Sequence, residues 1–137
     1  KSHEGFLGHS FIGSWANLGA GTTTSNLKNN YSSVKVKWDG LLIDTGSIFF
    51  GSIIGEHVKT AIGTNLNTGT VIELGCNIVS QTFPPRHVPA FSLFYKNKAI
   101  RIKFEDFCDV AEKAMKRRKK ELLSSEKSIL NSIYKNY

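Results

Sequence analysis

The chain is poor in the residues that signal disulfide frameworks and membrane spans. Its 137 residues include two cysteines, one methionine and three prolines. Cys76 and Cys108 form no CxxC pair and no secretory leader is visible, so we expect a reduced, cytoplasmic protein. No apolar run approaches the roughly 18 residues that a membrane helix requires, and we therefore expect no membrane span.

An initiator methionine is also missing, since the sequence begins at Lys1. Because the repeat described below is already running near Lys1, we expect a fragment of a longer protein.

Acidic residues are clearly outnumbered by basic ones in only one part of the chain. Residues 96–137 hold 12 basic and 6 acidic residues, whereas the rest holds 6 and 5. The net charge of +7 therefore belongs mainly to the tail.

What the chain does contain is a period of six. The apolar positions of this period, with one threonine among them, are Leu42, Ile48, Ile54, Thr60, Leu66, Ile72 and Ile78. Gly63, Gly69 and Gly75 repeat the same spacing. Six is neither the helical period of 3.6 nor the strand period of two, and hexapeptide repeats are typical of a parallel β-helix. Stacked coils of such a fold bury one shared core.

The repeat divides into two blocks with an excursion between them. The first block covers about residues 6–24, with Phe6, Ile12 and Leu18 six apart and predicted to point inward. Residues 25–47 are polar and predict a loop that leaves the coil, with a hairpin across Asp39–Gly40. The second block covers about residues 48–83, and we expect Pro84–Pro85 to end it, because neither proline can donate to a ladder.

A different pattern follows the second block. Residues 99–103 predict a strand, and from Phe104 apolar residues recur at steps of three or four, which predicts two helices separated near Ser124–Ser125. We therefore expect a β-helix domain over residues 1–94 and an exit strand with a basic helical tail over 95–137. The basic run at 116–121 lacks interleaved aromatics, so we interpret it as a solvated helix face and expect no nucleic-acid partner.

The stretch before the excursion carries a more specific pattern than the period alone. His3 is followed by Phe6-Leu7-Gly8, then Ile12-Gly13, then Asn17-Leu18-Gly19-Ala20-Gly21-Thr22. This order resembles the acetyltransferase domain of the bifunctional enzyme that makes UDP-N-acetylglucosamine. The later stretches of residues 1–94, including the sequence FPPRHVPAFS, resemble a variant bacterial branch of that family.

The resemblance implies several properties that the composition does not. The β-helix would be left-handed, and the protein would be a homotrimer with active sites between subunits. Acetyl-CoA would be the acetyl donor and glucosamine-1-phosphate the acceptor, so the product would serve cell-envelope synthesis. A nucleotidyltransferase domain that uses Mg²⁺ would precede Lys1.

The resemblance also assigns the catalytic base. Transfer of an acetyl group to an amine requires a neutral amine, which a histidine near its ordinary pKa can generate. His3 matches the family's base. Glu4 follows it directly and, on a strand, would point to the opposite face.

Seven further residues match family contact positions. The predicted acceptor-binding residues are Phe6, Asn17 and Lys28, and the predicted acetyl-CoA-binding residues are Ala20, Ile62, Ser80 and Arg86. The family commonly has tyrosine at the position of Phe6, so the loss of the hydroxyl leaves the acceptor open. Lys35 and Lys37 are alternatives to Lys28 for the acceptor phosphate. A backbone N–H near Ala20 would stabilise the oxyanion, and Arg86 would pair with a CoA phosphate.

Other interpretations remain open at this point. His9, His57 and His87 show no close grouping in the sequence, so we expect no metal site. An acyltransferase with a different amino-sugar acceptor is one alternative. A non-catalytic trimerising scaffold for a sugar nucleotidyltransferase is another.

Overall fold

The computed structural model describes residues 4–80 and 82–137, and His3 lies outside this part of the chain. Eleven of the described strands stack into three narrow sheets. Face A contains β1 (Phe6–Leu7), β3 (Thr23–Thr24) and β8 (Asn65–Leu66). Face B contains β2 (Phe11–Ile12), β6 (Ser52–Ile54), β9 (Thr70–Ile72) and β11 (His87–Val88). Face C contains β7 (Lys59–Thr60), β10 (Asn77–Val79), β12 (Ser92–Tyr95) and β13 (Lys98–Arg101).

Strands on each face pair in parallel, except that β13 returns antiparallel to β12. The chain thus visits faces A, B and C in turn and forms a parallel β-solenoid, which confirms the predicted hexapeptide-repeat fold. Ile54 aligns with Ile72, and Thr60 aligns with Ile78. A full coil in the regular region therefore consists of three hexads, one for each face.

The inner residues of the coils form one core. Its buried members are Ile54, Val58, Leu66, Ile72, Cys76, Ile78, Val88 and Phe94. Of the seven residues that define the period from Leu42 to Ile78, five are buried, including Thr60, whose hydroxyl lies 2.9 Å from that of Thr22 inside the core. The polar position is therefore tolerated because it is hydrogen-bonded.

Two of the predicted inward residues are placed wrongly by the period. Leu42 is 63% exposed and Ile48 is 43% exposed, because both lie in the excursion and not in a coil. Phe6 also does not point inward: Leu7, and not Phe6, aligns with the buried Thr24 of the next coil.

The excursion leaves the solenoid after β3 and returns at β6. Ile12 aligns with Ile54, whereas Ile54 aligns with Ile72, so the connection that contains the excursion is four hexads longer than a regular coil. It carries the predicted hairpin, formed by β4 (Lys35–Trp38) and β5 (Leu41–Asp44). Asp39 and Gly40 both have positive φ, 48° and 72°, as the tight turn between twisted strands requires.

The two prolines do not end the solenoid. After Pro84–Pro85 the chain adds β11 to face B and β12 to face C, so a fourth partial coil forms. The prolines fall at face A, where the sheet already ends at β8 and no ladder donor is required. The predicted end at residue 83 is therefore wrong, and the predicted exit strand is β13.

Four residues with left-handed backbone stack at the corner between faces B and C. Trp15, His57, Gly75 and Phe91 have φ values of 61°, 56°, 71° and 54°, and each lies three positions after an aligned inner residue of face B. We call this column the B–C corner.

The two tail helices pack on the B–C corner. They are α1 (Phe104–Lys116) and α2 (Ser124–Lys135). The buried side chains between helices and corner are Ala90, Phe91, Phe104, Phe107, Cys108, Ala111 and Leu130. Of the stripe predicted for α1, Val110 is the exposed exception at 40%.

The boundaries of the helices differ from the predicted ones in two places. The N-terminal cap of α2 is Leu123, whose N–H donates to the Glu126 carboxylate at 2.8 Å, so Ser124 is already helical. Because α1 ends at Lys116, residues 117–120 of the basic run lie in the connection between the helices and not on a helix face. Neither helix is long and apolar enough to cross a bilayer, within residues 4–80 and 82–137.

Candidate functional site

Three of the predicted acetyl-CoA contacts lie in one column. The bridge between Asn17 and Lys59 sets the register between the first two coils on face C, and the pairing of Lys59 with Asn77 sets it for the next coil. The same register places Ala20, Ile62 and Ser80 side by side in consecutive coils, just beyond face C. The structure thus brings together residues that are far apart in the sequence.

Ile62 and Ser80 line one groove of about 560 Å³. We call it the face-C groove; its lining residues are Ala61, Ile62, Val79, Ser80, Thr82, Tyr95, Lys96 and Asn97. Ile62 is 79% exposed, so a large apolar side chain is presented to whatever enters the groove. Lys96 supplies a cation to this lining, and its Nζ lies 5.3 Å from the centre of the Tyr95 ring.

Hydroxyl and amide groups fix the polar side of this groove. The Oγ atoms of Ser80 and Thr82 are 3.0 Å apart, and the Thr82 hydroxyl donates to Asn97 Oδ1 at 2.8 Å. Asn97 lies in the turn between β12 and β13, so the antiparallel return strand closes one wall. The groove therefore combines apolar surface, hydroxyls and the charge of Lys96.

The turn at Ala20 presents a backbone donor. The N–H of Thr22 donates to the carbonyl of Gly19 at 3.1 Å, and Gly21 has a φ of 74°. The Ala20 carbonyl accepts the N–H of Gly63 at 2.7 Å, and among the described residues the Ala20 N–H donates to no partner. An N–H in this state is available to an external oxyanion.

Arg86 lies apart from the other three. It precedes β11 on face B, and its carbonyl accepts the N–H of Val71 at 2.8 Å. Arg86 does not belong to the described lining of the face-C groove. Within one chain, therefore, the structure does not bring Arg86 to Ile62 and Ser80.

The predicted acceptor residues are also dispersed. Phe6 is on face A, where its ring is 53% exposed. Asn17 lies in the first coil, next to Lys59 of face C. It lines a cavity of about 510 Å³ together with Gly19 and Thr22. Lys28 is held inside the excursion, where its Nζ donates to the carbonyl of Ser33 and to the Ser32 hydroxyl.

Sequence reasoning missed Arg118 and Tyr95 as site residues. Arg118 belongs to the turn between the tail helices, yet it lines the cavity of Asn17. No local motif marks such a contact, since it depends on how the tail docks. Tyr95 aligns with Val79 in the face-C groove, and it would have been found by extending the coils beyond Pro85.

The three described histidines go to separate places. His9 Nδ1 lies 2.8 Å from the Asn26 amide nitrogen, and His57 is buried at the B–C corner. His87 Nε2 lies 2.7 Å from Glu73. No group of three metal-ligating side chains forms within residues 4–80 and 82–137.

Taken together, the described residues define a hexapeptide-type β-solenoid with an open groove along one face. The chain is similar to three bifunctional proteins. It is 37% identical over 70 residues to a bifunctional sugar-1-phosphate nucleotidylyltransferase/acetyltransferase of Sulfurisphaera tokodaii, covering 51% of this chain and 18% of that protein. It is 30% identical over 101 residues to the bifunctional protein GlmU of Methanococcus vannielii, covering 74% of this chain and 24% of that protein.

A third relative is the bifunctional protein GlmU of Methanocaldococcus jannaschii, which is 29% identical over 98 residues, or 72% of this chain and 24% of that protein. The homologues are thus GlmU-type bifunctional nucleotidyltransferase/acetyltransferases, which confirms the predicted resemblance. The chain spans a quarter or less of the length of these curated relatives. No protein-family profile matches the chain.

Proposed function

We propose that the chain is an acetyltransferase domain that moves the acetyl group of acetyl-CoA to the amine of glucosamine-1-phosphate. It would be the C-terminal part of a bifunctional sugar nucleotidyltransferase/acetyltransferase that makes UDP-N-acetylglucosamine. The observation that carries this proposal is the column of Ala20, Ile62 and Ser80 in consecutive coils, two members of which, Ile62 and Ser80, line the face-C groove. The name of the Sulfurisphaera relative, which combines a sugar-1-phosphate with acetyl transfer, supports it.

The groove fits the chemistry of CoA. The pantetheine arm is a flexible chain with amides at intervals, and it requires apolar surface with a few hydrogen-bonding groups. Ile62, Val79 and Tyr95 offer exposed apolar surface along the groove. Lys96 offers a charge for a phosphate of the carrier.

The proposed catalytic and binding roles fall to residues that precede the excursion. The Ala20 N–H would donate to the oxyanion that forms when the amine attacks the thioester carbon. His3, outside the described residues, would accept the proton that the amine loses. Asn17 would contact the amino sugar, since it lies at the face-C position of the first coil, three residues before Ala20.

The test of this proposal is release of free CoA thiol from acetyl-CoA in the presence of glucosamine-1-phosphate. We expect thiol release by the wild-type protein and a loss of at least about a hundredfold in His3→Ala, which is the lower end of what one general base contributes. The control is His9→Asn, because His9 is an exposed histidine outside the groove and asparagine tolerates its φ of 46°. Equal rates for wild type and His3→Ala would overturn the proposal.

Phe6 supports an alternative acceptor. Its ring lacks the hydroxyl that the resemblance associates with the acceptor phosphate, and it is half exposed on face A. A panel of amino sugars with and without the phosphate, in the same thiol assay, separates the two acceptors. Faster turnover of a sugar that lacks the phosphate would favour the alternative.

The scaffold alternative rests on the hairpin. Trp38, Leu41, Leu42 and Ile43 are all at least 46% exposed, so the ribbon presents apolar side chains that a neighbouring subunit would cover. We propose that the protein is a homotrimer. Sedimentation at equilibrium tests this, and a trimer that binds no CoA by calorimetry would favour a scaffold over an enzyme.

A further inference from the structure

A second cavity lies between the tail helices and the solenoid. It has a volume of about 320 Å³ and is separate from the face-C groove. Its lining is mainly apolar and includes Trp15, Leu74, Leu122 and Ile133. We call it the corner cleft, because its floor is the B–C corner and its cover is α2.

One residue of the floor is a buried polar group. His57 is 5% exposed, and within the described parts of the chain its Nδ1 has no hydrogen-bond partner. Burial lowers the pKa of His57 to about 4, so the ring is neutral at pH 7. A neutral imidazole offers one donor and one acceptor. A neutral ring can lie against the apolar part of a ligand without leaving a buried charge unpaired.

The helix over the cleft covers it loosely. Leu130 is the one described residue of α2 that is buried, while Ile129 lines the cleft and is still 63% exposed. Near the start of α2, Lys127 is bonded to Glu112 at 3.2 Å. Near its end, the Tyr134 ring packs on Phe91 and Phe104 and lies 4.2 Å from Arg101. An amphipathic helix fixed in this way leaves room for a ligand beneath it.

A basic mouth adjoins the cleft. It is an open cavity of about 680 Å³, and it shares Trp15, Met115 and Glu126 with the cleft. The charged residues of the mouth are Lys116, Lys119, Lys120, Glu121 and Glu126. Three lysines against two glutamates leave the mouth with a net charge of +1.

We propose that the corner cleft and its basic mouth form a binding site for a small amphiphilic anion. The apolar part of the ligand, an acyl chain or aromatic ring, lies in the cleft beside His57. Its carboxylate or phosphate pairs with the lysines of the mouth. At about 30 Å³ per heavy atom, the cleft of about 320 Å³ holds about ten such atoms.

Octanoate matches this size and charge, and Trp15 provides the signal. The chain has two tryptophans, and Trp38→Phe on the hairpin leaves Trp15 as the single reporter at the mouth. We expect octanoate to change the Trp15 fluorescence saturably. Octanol should bind several-fold more weakly, and octyltrimethylammonium should bind more weakly still, because the mouth repels it.

Two sets of variants separate the mouth from the cleft. Lys116→Glu with Lys119→Glu should weaken octanoate about tenfold at low salt and leave octanol within twofold. The matched control, Lys37→Glu with Lys98→Glu, makes the same change of charge elsewhere on the surface and should change neither ligand. None of these side chains is buried, so folding is not at risk.

Filling the cleft should weaken the binding of octanoate and octanol alike. Leu122→Phe with Ile133→Phe adds two rings to the lining. The expected loss is at least tenfold for both octanoate and octanol, with the circular dichroism spectrum unchanged. The proposal is overturned if octanoate gives no saturable signal, if the cation binds as tightly as the anion, or if the control lysines matter as much as the mouth lysines.

Discussion

The imidazole of His57 meets the ring of Phe107 edge to face, with 5.5 Å between centroids. The first residue turns a corner of the solenoid and the second belongs to the tail helix α1. On its other side His57 stacks with Trp15 at 6.4 Å. The tail is therefore docked on the solenoid through a titratable ring, and its docking should depend on pH.

We expect the protein to lose stability as the pH falls from about 6.5 towards 4. Burial, with a smaller contribution from Lys59, lowers the pKa of His57 from 6.5 to about 4, against the weaker opposing effect of Glu126. The unfolded chain then binds a proton that the folded chain excludes, so the stability due to neutral His57 is complete above pH 6.5 and declines below it. We expect a loss of about 2 kcal/mol after allowance for solvent screening.

The control for this prediction is His57→Asn, because asparagine tolerates the left-handed backbone of this position. Carboxylates titrate in both proteins, so their effect cancels in the comparison. Urea unfolding at about pH 7 and about pH 4.5, on either side of the expected decline, measures the difference. Parallel pH profiles for the two proteins would contradict the assigned role of His57.

Phe107→Ala should detach the tail from the corner. Phe107 is 5% exposed and its ring lies 5.0 Å from that of Phe91. Removing a buried ring of this kind costs about 3–5 kcal/mol. Val110→Ala, one turn further along α1 on a 40% exposed side chain, should cost less than about 1 kcal/mol. Equal losses in urea unfolding would mean that α1 is not held by this ring.

The period of six predicted the faces and the core column, because a regular coil contains three hexads. The groove residues Ile62 and Ser80 came instead from the family resemblance. The extra length of the excursion is also a whole number of hexads, since Ile12 and Ile54 both align on face B. Leu42 and Ile48 therefore keep the phase of the core although they lie outside it. A local pattern cannot distinguish such residues from coil residues, since the distinction is made by which strands pair.

Other features depended on tertiary structure. Non-glycine residues with positive φ at the B–C corner, such as His57 and Phe91, pack against Phe107 of the tail and leave no local signal. The sequence does not predict the fourth coil, because Pro84–Pro85 resembles the end of a strand ladder. Proline is excluded from a strand only where its backbone nitrogen would have to donate to a neighbouring strand. Within the described residues, the sheet of face A ends at β8, so no such donor is required at Pro84–Pro85.

Gly19→Ala should separate the first two coils. A Cβ at this position would fall 2.4 Å from the carbonyl carbon of Ala61, and backbone cannot move aside as a flexible side chain can. We expect a loss of about 3 kcal/mol, at the upper end for overpacking. Gly46→Asn is the control, because a Cβ there meets nothing within 4 Å and asparagine tolerates its φ of 68°. Unfolding curves that rank the two variants in the opposite order would contradict the close approach of the coils.

Ile62→Glu should weaken CoA binding, and Arg86→Ala should not. The first change places a carboxylate in the face-C groove, where it would repel the phosphates of CoA and remove apolar contact, so we expect at least a tenfold loss by calorimetry. Arg86 lies on face B of its own chain, and its removal should change the affinity by less than about twofold. Equal losses in both variants would mean that Arg86 of a neighbouring subunit completes the groove. Wild-type affinity in Ile62→Glu would remove the groove from consideration as the CoA site.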